Sequence, residues 1–218
     1  MNTHVLRSIA SALLIFATLV LISAYPLAIS LPTWWGHENQ PVENAQVVLL
    51  FVGLVTSFWF SYRSRSAGRW FGLAVAPILL IVIGRELSWG AVLLEPTSMG
   101  EHGPLYASQC LWYKPMVAPV VTGLITLCIA VVSFTPTAKA GIRLLKHRRI
   151  PIWSLMITLT AMLVSTAAEG HLPLVPLHYV LEGGVAQLVE EIAELSAYAA
   201  MVAGLLFIMT DLDSLSRV

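Results

Sequence analysis

The densest chemistry in the chain is a run of carboxylates, Glu190-Glu191-Ile192-Ala193-Glu194, set in an otherwise apolar stretch. On a helix Glu190 and Glu194 stand at i, i+4 and Glu191 and Glu194 at i, i+3, so all three share one face. Gln187 and Tyr198 prolong that polar stripe. Like charges so close repel, and burial sharpens the repulsion, so such a cluster needs a cation, a basic side chain or bound protons. Far earlier, Gly84-Arg85-Glu86-Leu87-Ser88-Trp89-Gly90 supplies a second pair, Arg85 and Glu86. The fixed fork of an arginine suits a buried carboxylate. Glu169 and His171 add one more carboxylate and an imidazole. Carboxylates and imidazole without thiolate favour hard or borderline divalent ions: Mg, Ca, Mn, Fe or Zn. The residue types therefore predict a divalent ion, of undetermined identity, held by Glu190, Glu191, Glu194, Glu169 and His171. Glu86 would act as a further ligand or general base, and Arg85 would hold a phosphate or carboxylate.

No known catalytic signature is completed. A di-iron bundle would show Glu-x-x-His on two helices, and the chain has none. His-Glu-x-x-His, Gly-x-Ser-x-Gly and a phosphate-binding P-loop are absent. Haem ligation would require histidines within helices, and a retinal protein an intramembrane lysine. Cys110 and Cys128 form no metal-binding or redox spacing.

The elements that must position these side chains are set by composition. Of 218 residues, 57% are hydrophobic and 11% charged, and mean hydropathy is +0.80. A soluble domain carries about 25% charged residues. That excludes a separate soluble catalytic domain, a nucleic-acid-binding module and a disulfide-built secreted scaffold. Six apolar runs approach or reach the ~20 residues that span a bilayer. They cover Ile9 to Leu31, Ala45 to Tyr62, Trp70 to Leu94, Val117 to Phe134, Ile152 to Ala168 and Leu188 to Thr210. The expected fold is a single all-α membrane domain, residues 1–218, of six transmembrane helices. The first run is long for a cleaved signal and reads as a retained anchor.

Charge orients the bundle. With both termini cytoplasmic, ten of the twelve Lys and Arg fall on the inner side, including the 139–149 loop, and Arg85 and Lys114 on the outer. Ten of the twelve acidic residues fall in the outer half, with Asp211 and Asp213 inside. Glu38, Glu95, Glu101 and Glu182 lie in Gly-, Pro- and Ser-rich segments and read as solvated loop charges. The others form a layer. Counted from the inner helix ends, Gln46, Glu86, Glu169 and Glu194 all lie roughly 24–26 Å into a ~30 Å core. His171 and His178 fall in a Pro-rich outer loop, and Trp34, Trp35, Trp89, Trp112, Tyr106, Tyr113 and Tyr179 read as an aromatic belt.

The Glu86-Leu87-Ser88-Trp89-Gly90 box, followed by Glu190-Glu191-x-x-Glu194, resembles uncharacterised bacterial polytopic membrane proteins. Those carry a Glu-Glu-Ile-Ser-Trp-Gly-Gln box in one helix and an acidic pair in a late helix. This chain has Arg85 in place of the first Glu and Ala91 in place of the Gln. The resemblance covers about a dozen positions and implies no activity, but it selects the same residues and a multi-pass protein of the bacterial inner membrane.

Two classes of function remain. One is a membrane-embedded, divalent-cation-dependent enzyme acting near the outer face on a lipid or lipid-linked substrate. The other is non-catalytic: an accessory subunit docked on a membrane-protein partner or a second copy, or a cation- or proton-coupled carrier. A carrier should show polar groups at the midplane, and the inner two-thirds of these helices are almost wholly apolar. Membrane lipids are expected partners in every case, and nucleic acid in none.

Overall fold

The structure, a computed structural model, describes residues 3–64, 67–100, 103–172, 181 and 183–215. His102, His178, Glu101, Glu182, Tyr179, Arg65 and Arg217 lie outside the described residues. Among the described residues, helices predominate and the strands are those of one antiparallel hairpin, β1 (Ser98–Gly100) and β2 (Gly103–Leu105), in which Ser98 faces Leu105. The helices are α1 (Thr3–Ile22), α2 (Ala24–Ser30), α3 (Pro41–Arg63), α4 (Ala67–Glu86), α5 (Lys114–Phe134), α6 (Pro136–Lys146), α7 (Ile152–Ala168) and α8 (Gly183–Leu215).

Among the described residues, five helical segments are long and apolar enough to cross a membrane; α7, at 17 residues, is shorter. Three departures from the expected elements have a local cause. The first run is broken at Ser23 into α1 and α2. Pro26 lacks an N–H, and its ring crowds the carbonyl of Ile22 four residues back. The third run stops at Glu86 instead of Leu94, because Ser88, Trp89 and Gly90 all take positive φ, at 44°, 58° and 98°. The basic 139–149 segment is largely helical: Thr135 caps α6, and its Ala140 and Leu144 pack on Leu212.

The last helix organises the rest. At 33 residues α8 is about 50 Å long, and 72% of its most apolar window is buried, against 6% for α5. Its alanines let neighbours approach closely, as small residues do between membrane helices. Ala17 of α1 packs on Ala199 and Ala200, and Ser196 Oγ donates to the Ala17 carbonyl at 2.8 Å. On the opposite side Tyr198 joins Leu50 and Leu54 of α3 and Leu79 and Ile83 of α4 in one apolar cluster. The start of α1 and the end of α8 meet at one end of the bundle, where Arg7 pairs with Asp211 at 3.5 Å. Arg149, just before α7, donates to Ser214 there at 3.1 Å. This is the basic end; the glutamates gather at the other.

Candidate functional site

Arg85 and Glu86 occupy the last turn of α4. An arginine there complements the negative end of the helix dipole and a glutamate opposes it, so Glu86 must be held by other groups. Tyr198 of α8 donates its hydroxyl to Glu86 Oε1 at 2.7 Å, and Arg85 Nε lies 3.9 Å from the same oxygen. Arg85 Nη2 reaches Glu194 Oε1 of α8 at 3.3 Å. Ser165 of α7, itself buried, donates to that oxygen at 3.1 Å. Three helices thus converge on one carboxylate. The ion pair expected between Arg85 and the last helix is present, and it is lopsided: the Arg85 side chain is 62% exposed and that of Glu194 7%. The guanidinium enters from the flank of the bundle with donors to spare.

The turn after α4 explains how Arg85 is aimed. Trp89 folds back on Gly84, where a Cβ would sit 2.7 Å from the indole. Tyr113, just before α5, donates to the Trp89 carbonyl at 2.6 Å. Gly90 adopts a left-handed φ that side chains disfavour. The Ser88-Trp89-Gly90 box is therefore a helix stop, and Trp89 is fixed in that turn.

A second pair bridges α3 and α8. Fully buried Gln46 donates Nε2 to the backbone oxygen and to Oε2 of Glu191, both at 2.9 Å. Its Oε1 is buried with no hydrogen-bond partner. Glu43 accepts from the Asn39 backbone N–H, closing the start of α3 in the manner of a capping box. Glu38, read from the sequence as a solvated charge, accepts from the Tyr106 N–H at 2.7 Å and ties the segment before α3 to the hairpin. Glu190 is half-buried on α8 and takes no part in these bonds.

Glu169 and His171 stand apart from this network. Glu169 follows the end of α7 and pairs with His171 Nδ1 at 2.9 Å, with side chains 46% and 68% exposed. Among the described residues no three His, Cys, Asp or Glu are grouped to hold a metal ion. The set expected to ligate one, Glu169, His171, Glu190, Glu191 and Glu194, is divided. An arginine holds Glu194, a glutamine holds Glu191, and a surface histidine holds Glu169. A shared depth fixes height along the bundle, not direction around each helix. Ser165 has one signal in the sequence, a small polar residue in an apolar helix, which Ser154 shares.

No protein-family model, curated protein or solved structure matches the chain. Its long apolar helices are compatible with an integral membrane protein.

One more feature adjoins the network. A cavity of about 790 Å³ opens on the flank between α1 and α3, over α8. Leu13 and Phe16 form one wall, Val48 and Val52 the other, and Leu195 and Val202 the floor. From Pro41 to Thr56 it follows α3 for roughly 22 Å at 1.5 Å per residue. At the glutamate end Leu195 lies one helical turn from Glu191 on the same face of α8.

Proposed function

We propose that the chain is a six-span protein of the bacterial inner membrane, with its basic end cytoplasmic, that binds a lipid or lipid-linked substrate at its outer end. The carboxylate–arginine network would perform acid–base chemistry on the substrate's head. The observation that carries this reading is the apolar groove running toward Glu191 and Gln46. A helix 10–12 Å across would fill roughly 2,000 Å³ over that length, so a slot of about 790 Å³ suits an acyl chain. The ten-to-two split of basic residues supports the orientation. The sixth span is α7, whose 17 residues reach ~25 Å, the lower limit for crossing.

In this reading each group has a task. Exposed Arg85 holds a phosphate or carboxylate of the substrate with the donors that Glu194 and Glu86 leave over. Glu86, oriented by Tyr198, is the general base. Glu190, Glu191 and Glu43 are the acidic surplus, neutralised by protons or by a divalent ion. Such an ion would need substrate oxygens to complete its ligands, as Mg²⁺ does when one or two carboxylates and a phosphate share it.

Lipid extracted from the purified protein tests the groove. Val48→Trp, which fills it, should lower the amount of lipid retained by the share held in the groove, while Glu86→Gln should leave it unchanged. Equal retention by Val48→Trp and wild type would overturn the lipid reading. Melting with added Mg, Ca, Mn or Zn tests the ion: it should raise the Tm of wild type and not of Glu191→Gln. The accessory-subunit reading gains from α5, which among the described residues packs mainly on α4, α6 and the Ser108–Cys110 turn and is largely exposed. It would take over if lipid retention failed this test.

A further inference from the structure

We propose that the basic end of the bundle carries a binding site for the phosphate of an anionic phospholipid drawn from the adjoining leaflet. The site is a cavity of about 770 Å³ between α1, α7 and α8, lined by Arg7, Arg148 and Arg149 and by Trp153, Ser154 and Phe207. It lies at the opposite end of α8 from the glutamate network and does not depend on the function assigned there.

Four observations converge on an anion. Three arginines line the cavity, and among the described residues the one acidic residue lining it is Asp211, which spans 3.5 Å to a single nitrogen of Arg7. Arg149 gives one nitrogen to Ser214 Oγ, and Arg148 makes no side-chain hydrogen bond or ion pair among the described residues. Ser154 is 2% exposed, lines the cavity, and its hydroxyl has no hydrogen-bond partner. The cavity also takes in the first turn of α7, where the Ile152 N–H is taken by the Ile150 carbonyl at 2.8 Å and the N–H groups of Trp153 and Ser154 have no intrahelical acceptors. No side chain caps that helix start, and its positive dipole end suits a phosphate.

The rim says where the phosphate comes from. Ile152 and Trp153 are 57% and 71% exposed, and an exposed tryptophan at the end of a membrane helix suits the headgroup level. Leu14 and Phe207 give the cavity an apolar wall beside the arginines. A molecule with an anionic head and an acyl body satisfies both walls. Basic pockets between transmembrane helices on the cytoplasmic side bind anionic lipid heads for this reason.

The probe is phosphatidylglycerol against phosphatidylcholine, added to the purified chain in neutral detergent and read by thermal stability and by native mass spectrometry. In Val48→Trp, whose groove is filled, phosphatidylglycerol should still be retained and raise Tm; phosphatidylcholine should do neither. Arg148→Gln/Arg149→Gln should weaken phosphatidylglycerol binding by about thirtyfold, from roughly fivefold per arginine. Ser154→Ala should weaken it roughly tenfold by removing a hydrogen bond to a charged group. Equal retention of the two lipids, or unchanged affinity in both variants, overturns the site. Inorganic phosphate that alone reproduces the stabilisation overturns the lipid assignment. Should the double variant fail to purify, salt decides with wild type alone: retention must fall as salt rises, and salt-independent retention overturns the proposal. Val48→Trp must leave phosphatidylglycerol binding intact, which separates this site from the groove.

Discussion

The two ends of α8 are built alike and finished with opposite charge. At one end Glu194 pairs with Arg85 at 3.3 Å; at the other Asp211 pairs with Arg7 at 3.5 Å. In both cases the carboxylate is buried on the central helix and the arginine, more than half exposed, reaches in from another helix. The difference lies in what is left over. Around Glu194 carboxylates outnumber guanidinium groups, with Glu86, Glu190 and Glu191 nearby and Arg85 alone to offset them. Around Asp211 the excess is Arg148 and Arg149. The matched pairs clip helices together, and the surplus charge, acidic at one end and basic at the other, is what the two proposals rest on.

Substitutions can break or sharpen this contrast. The largest expected effect is Arg85→Gln, which strands two buried carboxylates. A cost of about 2–3 kcal/mol follows from the ~3–5 kcal/mol of a broken buried pair, discounted for the exposed guanidinium. Arg85→Gln/Glu194→Gln should recover at least ~1 kcal/mol of it in a double-mutant cycle of denaturation in detergent. Strictly additive costs would show that the pair is not a clip. Next comes Gly84→Ala, whose methyl would displace the Trp89 indole. A loss of about 1–2 kcal/mol is expected, with altered near-UV circular dichroism. Gly123→Ala on α5, where a Cβ meets nothing within 4 Å, serves as the neutral control. Tyr198→Phe should cost about 1 kcal/mol by removing one hydrogen bond to Glu86. The smallest effect belongs to Arg148→Gln/Arg149→Gln, within ~0.5 kcal/mol because both residues are exposed. If thermal melting gave it a loss as large as that of Arg85→Gln, the basic surplus would be structural and the contrast between the ends would fail.

Much of this was legible along the chain. Apolar run lengths marked the membrane helices, and the bounds of α7, Ile152 to Ala168, match because Pro151 opens it and Gly170, at φ 88°, follows its end. Charge bias placed the arginines and glutamates at opposite ends. Helical spacing put Glu191, Glu194 and Tyr198 on one face, and Arg85 was the available counter-ion. Run length alone misjudged α4, since Trp89 is apolar and yet takes a left-handed φ that a hydropathy window cannot register.

The tertiary structure alone decided which neighbours those faces meet. Glu169 and Glu194 lie at similar heights, but one faces solvent beside His171 and the other is closed in by Ser165 and Arg85. Gln46 reaches Glu191 across 145 positions, and Arg7 reaches Asp211 from nearly the other end of the chain. Periodicity within a helix fixes height and face, because 3.6 residues per turn is a local property. The rotation of one helix against another depends on packing, here on the alanine face of α8 that lets α1 approach. That packing, written in no single segment, sets which carboxylates are clipped and which are left in surplus.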